Sequence, residues 1–150
     1  MTLSYELLEE QVRALLASES DFIANAANFA AFVYHALPDV NWAGFYLGTP
    51  SGELVLGPFC GRPACSRLPP GRGVCGAAAT RGSTIVVDDV AAFRDHIVCD
   101  TASRSEIIVP FSLDDGLTGV FDCDSPVLGR FTDADRTGIE RLVRAFTGSF

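Results

Sequence analysis

Two apolar runs separated by Asp114-Asp115-Gly116 constrain this chain more than any other feature. Residues 104–113 (RSEIIVPFSL) and 117–123 (LTGVFDC) are rich in β-branched and aromatic residues, and the Asp-Asp-Gly between them suits a tight turn. The pair reads as an antiparallel hairpin. Side chains alternate across a strand, so Asp122 and Asp124 share one face while Cys123 points the other way, into a core. Glu106 alternates with Ile108 on the first strand and can meet both aspartates across the hairpin. Charges on a strand face are usually solvated, but Glu106 sits among Ile107, Ile108 and Val109. Three carboxylates gathered on such a face can bind an ammonium ion. One of them, its pKa raised by the others, can also act as an acid.

The rest of the chain supplies elements to flank this hairpin. Residues 4–17 read as a helix with Leu8, Val12, Leu15 and Leu16 on one apolar face. Ser18 to Ser20 break it and can cap a second helix, in which Phe22, Ala26, Phe29 and Val33 recur at helical spacing until Pro38 stops it. Residues 40–47 (VNWAGFYL) form a strand and residues 53–59 its hairpin partner. The stretch 58–76, dense in Gly and Pro, reads as a mobile loop with a short strand near residues 66–68. A short helix over 74–81, a strand over 83–87 and a helical turn over 90–95 follow. A last amphipathic helix starts after Thr132, a suitable N-cap. Two hairpins between terminal helices give an α+β fold: a central antiparallel sheet with the N- and C-terminal helices on one face. The chain ends just past the last helix, so residues 1–150 are expected to form one domain.

The net charge of −8 argues against a nucleic-acid or anionic-membrane partner. The N-terminus, with its early acids, reads as neither signal nor transit peptide, and no apolar run is long enough to span a bilayer. A cytoplasmic protein is expected. In that setting five cysteines, an odd number, speak against a disulfide scaffold. Cys60, Cys65, Cys75, Cys99 and Cys123 are then buried, metal-bound or catalytic.

The stretch HIVCDTASRSEIIVP, residues 96–110, places Cys99 in a short polar segment just before the first strand of the carboxylate hairpin. A zinc site is disfavoured because no close CxxC pair occurs. Gly71 to Gly76 fits GxGxxG, but Pro69-Pro70 precedes it and no long helix follows, so a glycine-requiring turn is the better reading. What remains is a redox thiol set. A cysteine oxidised in turnover needs a second thiol to resolve it, and Cys65 and Cys75, read as loop residues, are within reach of Cys99. Nearby carboxylates would oppose formation of a thiolate at Cys99. Either the flanking Arg94, His96 and Arg104 or a substrate ammonium could offset them.

Six segments in order, NWAGFYL, LVLGPFCGRPAC, GRGVCGAAA, IVVDDV, HIVCDTASRSEIIVP and GVFDCDSP, resemble the free methionine-(R)-sulfoxide reductases, single-domain enzymes of the GAF fold. The resemblance spans residues 40–131. It implies reduction of the R epimer of free methionine sulfoxide, with Cys99 as the attacking cysteine, Cys65 and Cys75 as resolving and relay cysteines, and thioredoxin as reductant. Glu106, Asp122 and Asp124 would hold the substrate near the sulfoxide. Trp42 and Tyr46, read without the resemblance as core aromatics, would wall the pocket for the S-methyl group. No metal or organic cofactor is implied. Related GAF domains often dimerise through their terminal helices, so a homodimer is compatible with the family. Cys60 and Cys123 depart from the family pattern, and Cys60, as one more thiol in the mobile loop, leaves the choice of disulfide open. Two rivals are a GAF sensor that binds a small ligand and a thiol redox sensor without turnover; the nearness of the last helix to the chain's end speaks against the first.

Overall fold

The computed structural model describes residues 2–150. In chain order the elements are α1 (Tyr5–Leu16), α2 (Phe22–Ala36), β1 (Trp42–Gly48), β2 (Leu54–Gly61), β3 (Arg67–Leu68), α3 (Gly73–Arg81), β4 (Ile85–Val87), a 3-10 turn (Val90–Ala92), β5 (Ser105–Ser112), β6 (Thr118–Ser125) and α4 (Asp133–Thr147). The strands make one antiparallel sheet in the order β3-β2-β1-β6-β5-β4. The expected α+β architecture is present, with α1, α2 and α4 on one face. The other face is covered by α3 and by the segments around the 3-10 turn.

Alternation decides which residues go to which face. From β5 and β6, Ile107, Val109, Phe111, Phe121 and Cys123 point to the helices, where they meet Phe45 of β1, Phe29 of α2 and Phe146 of α4. The rings of Phe29, Phe45, Phe121 and Phe146 lie within 4.8–5.9 Å of one another along their contacts. Each buried ring contributes about 2–3 kcal/mol through apolar area removed from water. Leu8, Val12 and Leu16 of α1 join this core, whereas Leu15 stays exposed, one position off the buried stripe.

The caps follow from short polar side chains. Asp21, rather than a serine of the preceding break, caps α2 by accepting from the Ala24 amide. Thr132 and Asp135 form a reciprocal capping box on α4. Asp135 also accepts from the Tyr5 hydroxyl at 2.6 Å and from Arg130 at 2.9 Å, which ties α1 to α4. The two helices meet where Gly138 lies under the Tyr5 ring.

The segment 58–76 is less loop-like than its composition suggests. β2 runs on through Cys60 and Gly61, which pair with Ala43 and Trp42 of β1. Pro58 is tolerated because β3 pairs with β2 only at Leu54 and Val55, leaving the proline on a free edge. Cys75 belongs to the first turn of α3, not to a loop.

A β-carbon at Gly138 has no room beside the Tyr5 ring. Gly138→Ala is therefore expected to lower stability by about 1–3 kcal/mol through overpacking. The gain in helix propensity of about 1 kcal/mol recovers only part of that. Urea unfolding of the two proteins reads the difference; equal midpoints would mean that α1 yields freely at this contact.

Candidate active site

The site grows from the strand register. Glu106 of β5 faces Asp124 of β6, and Asp124 faces Trp42 of β1, so the three lie in one row across the sheet. The next row on that face carries Asp122 opposite Gly44 and Ile108, and the row after it carries Tyr46 opposite Val120. Gly44 is the floor of the aromatic wall. A β-carbon there would collide with the side chain of Phe59 and come to 2.9 Å from the indole of Trp42. Without it, Trp42 stacks on Phe59 with centroids 5.3 Å apart and on Tyr46 at 5.9 Å.

Three segments roof this face. The N-terminal turn of α3 brings Gly73, Val74 and Cys75; Gly71 and Gly73 both adopt φ of 70°, the turn that the GxGxxG stretch serves. The segment between β2 and β3 brings Ala64 and Cys65. It is held by two hydrogen bonds from the wall, the Trp42 indole N–H to the Arg62 carbonyl at 3.1 Å and the Tyr46 hydroxyl to the Cys65 carbonyl at 2.8 Å. The segment after the 3-10 turn brings His96, Ile97, Cys99 and Ser103. Its ends are closed by the Val90 amide on the Arg104 carbonyl, and Asp95 turns it in the left-handed region, at φ 63°. Together they leave a partly open pocket over the carboxylates.

The floor is acidic and buried. Glu106, Asp122 and Asp124 are each less than a tenth exposed, and oxygens of all three lie within 4.8 Å of one another. Asp122 Oδ1 and Asp124 Oδ1 have no hydrogen-bond partner. Burial, and then the repulsion of Glu106, pushes the Asp122 carboxyl up to about 7. Burial and the charges of Asp122 and Glu106 push Asp124 up as well. Like charges this close do not all ionise, so the group holds at least one proton near neutrality. His96 Nε2 lies 3.5 Å from Glu106 Oε1, and its hydrogen bond to Glu106 raises the imidazole pKa. The cluster suits a hard cation or an ammonium group that brings its own positive charge.

The sulfurs divide sharply. Cys65 and Cys99 form a disulfide with Cα atoms 5.3 Å apart, at the wall of the pocket. Cys75 is a buried thiol whose Sγ lies 3.6 Å from Asp122 Oδ2. Cys123 lies in the helix-side core, as its strand position predicts. Cys60 is not in a mobile loop. It follows Phe59, whose ring is on the pocket face, so Cys60 projects from the opposite face of β2 and competes for no disulfide at the site.

All eight residues proposed from the sequence (Cys99, Cys65, Cys75, Glu106, Asp122, Asp124, Trp42 and Tyr46) therefore lie at or beside one pocket. Of the three cations flanking Cys99, only His96 turns inward; Arg94 and Arg104 are exposed. The sequence singled out neither Gly44, Phe59 nor Ser103. Gly44 alone carried a signal, a glycine inside an aromatic strand, which marks a close approach. Among the described residues no helix is long and apolar enough to cross a membrane.

Comparison with known proteins agrees with this geometry. The GAF domain family model matches residues 24–147. The protein YtsP of Bacillus subtilis is 53% identical over 132 residues, which cover 87% of this chain and 81% of that one. The free methionine-R-sulfoxide reductase of Escherichia coli is 49% identical over 139 residues, covering 93% and 84%. The X-ray structure of the free methionine-R-sulfoxide reductase of Neisseria meningitidis in complex with its substrate superimposes with a TM-score of 0.91. It shares 44% identity and covers 97% of this chain and 87% of that one. A disulfide and a buried carboxylate cluster meeting on one face of this sheet, in a chain so related, place the protein in the GAF-domain family of free methionine-(R)-sulfoxide reductases.

Proposed function

We propose that the protein reduces free L-methionine (R)-S-oxide to L-methionine with Cys99 as nucleophile, Cys65 as resolving cysteine and thioredoxin as reductant. The observation that carries this reading is the bond between Cys65 and Cys99 at the wall of a pocket floored by three buried carboxylates. The pocket matches a zwitterion with a polar sulfur. Ionised members of the cluster hold the substrate ammonium, whose charge relieves their mutual repulsion. The faces of Trp42 and Tyr46 take the S-methyl group.

The chemistry follows from what lies within reach. The Cys99 thiolate attacks the sulfoxide sulfur, and a carboxylic acid of the Asp122–Asp124 pair supplies the proton that the departing oxygen needs. The hydroxyl then passes from the substrate sulfur to the Cys99 sulfur as the bond between the two sulfurs breaks, so methionine leaves and Cys99 is left as a sulfenic acid. Thiol and sulfoxide have become sulfenic acid and thioether. The Cys65 thiol then attacks the sulfenic sulfur and releases water, giving the disulfide. The dithiol of thioredoxin reduces that disulfide and is itself oxidised, a step that suits the reducing cytosol.

A coupled assay with thioredoxin, its reductase and NADPH tests the whole reading. NADPH consumption is expected with the free R epimer and not with the S epimer or a sulfoxide-containing peptide. No consumption with any of them would leave a ligand-binding or redox-sensing module instead.

Cys99→Ser is expected to abolish methionine formation. Cys65→Ser should release about one methionine per protein and then stall, because the sulfenic acid has no resolving thiol; rapid-quench measurement of methionine separates the two. Sustained cycling of Cys65→Ser with thioredoxin would remove Cys65 from the mechanism.

The buried carboxylates also set a pH dependence of stability. A carboxyl whose folded pKa is raised to about 7, from about 3.9 in the unfolded chain, makes the folded state bind more protons across that interval. Stability then falls as pH rises through it. Asp122→Asn removes the titration, so its stability is expected to drop less than that of the wild type between about pH 5 and pH 8. Urea midpoints at both pH values check this, and parallel changes in the two proteins would contradict the assignment.

A further inference from the structure

We infer that Cys75 is a positioning residue rather than a member of a disulfide relay: its thiol donates a hydrogen bond to Asp122 that fixes the carboxylate and favours its ionised form for the substrate ammonium. The role rests on the reductase reading above, but the contact itself does not. Cys75 Sγ lies 3.6 Å from Asp122 Oδ2, across 47 residues of chain, and both groups are buried. The thiol is fixed by its place in the first turn of α3, where Gly76 packs so tightly on Gly71 that a β-carbon would come to 2.8 Å of the Gly71 carbonyl carbon. The other oxygen of Asp122 is buried without a hydrogen-bond partner, and Asp122 lines the pocket. One oxygen is thus held by the protein while the other is left for a ligand.

The surroundings of Asp122 explain why such a donor is needed. Asp124 shares its strand, Glu106 lies diagonally across on β5, His96 reaches in from the segment that carries Cys99, and the hydroxyl-bearing ring of Tyr46 lies on β1. Of these, Glu106 favours a proton on Asp122 by its charge, whereas the hydrogen bond with Asp124 and the charge of His96 favour the ionised form. The Cys75 thiol acts against burial and Glu106, as a hydrogen bond to the charged form does. The same surroundings suit Cys75 poorly for exchange. Burial, and then the negative charge of Asp122, raises its pKa and makes the thiolate scarce. The sulfur bonded to Cys99 is that of Cys65.

Serine and alanine at this position separate the two roles, because a hydroxyl can donate to Asp122 but cannot exchange disulfides. In the thioredoxin-coupled assay with free R-sulfoxide, Cys75→Ser is expected to cycle close to the wild-type rate. Cys75→Ala should cycle with kcat/KM lowered on the order of tenfold at neutral pH. The acidic limb of its pH profile should move to higher pH, and the loss should shrink once Asp122 ionises. Equal stalling of both variants after one turnover would establish the relay and overturn the inference, as would a Cys75→Ala profile superimposable on the wild type. A second readout needs no turnover. The infrared S–H stretch of Cys75, identified by its loss in Cys75→Ser, is expected at lowered frequency and should relax in Asp122→Ala. An unshifted band in the wild type would refute the hydrogen bond even if the protein proved to reduce no sulfoxide. A shifted band in a protein without turnover would retain the contact and discard only the reductase reading.

Discussion

The pairing of β5 with β6 in one register is the constraint on which the remainder of the molecule depends. Opposing Glu106 to Asp124 assigns every neighbouring side chain to a face. Ile107, Val109, Phe111, Phe121 and Cys123 then go under the helices, and the acids go to the other side. A slip by one residue would send the carboxylates into the aromatic core and the isoleucine–phenylalanine set to the pocket. The cost of burying charge without partners makes such a register untenable. Stability and site are therefore specified by the same pairing, with the Asp114-Asp115-Gly116 turn fixing it at one end and the phenylalanine cluster holding it flat against the helices.

Much of this was legible in the sequence because it rests on local periodicity. The helical stripes of α1 and α4, the hairpin, the inward direction of Cys123 and the convergence of Glu106 with Asp122 and Asp124 all follow from counting residues along an element. The exceptions share a cause. Cys60 was read as a loop residue because Pro58 and Gly61 look like breakers, yet a free sheet edge accommodates both. Leu15 fell one position outside the buried stripe. The roles of His96 and Gly44 depend on what lies across the sheet or above it, and no spacing along the chain reports that. Nor could composition separate His96 from Arg94 and Arg104. The left-handed turn at Asp95 directs the histidine inward, and only the folded chain shows it.

The pocket face concentrates what the helix face excludes. Buried carboxylates without full partners raise the free energy of the folded protein relative to an apolar alternative. Proteins keep such groups where a ligand completes them. The opposite face holds the compensating apolar core, and the two are separated by the thickness of a single sheet.

The bond between Cys65 and Cys99 joins residues 34 apart in the chain. Within that interval lie β3, α3, β4 and the 3-10 turn, which is most of the roof and one side of the pocket. In polymer terms the cross-link closes a loop whose entropy in the unfolded chain falls by about 4 kcal/mol at room temperature. The constraint falls on the roofing segment alone, since the buried residues of the helix-side core lie outside the loop. The cross-link thus spans the roof of the pocket and adds nothing to the helix-side core, so the two faces of one sheet are held by different means.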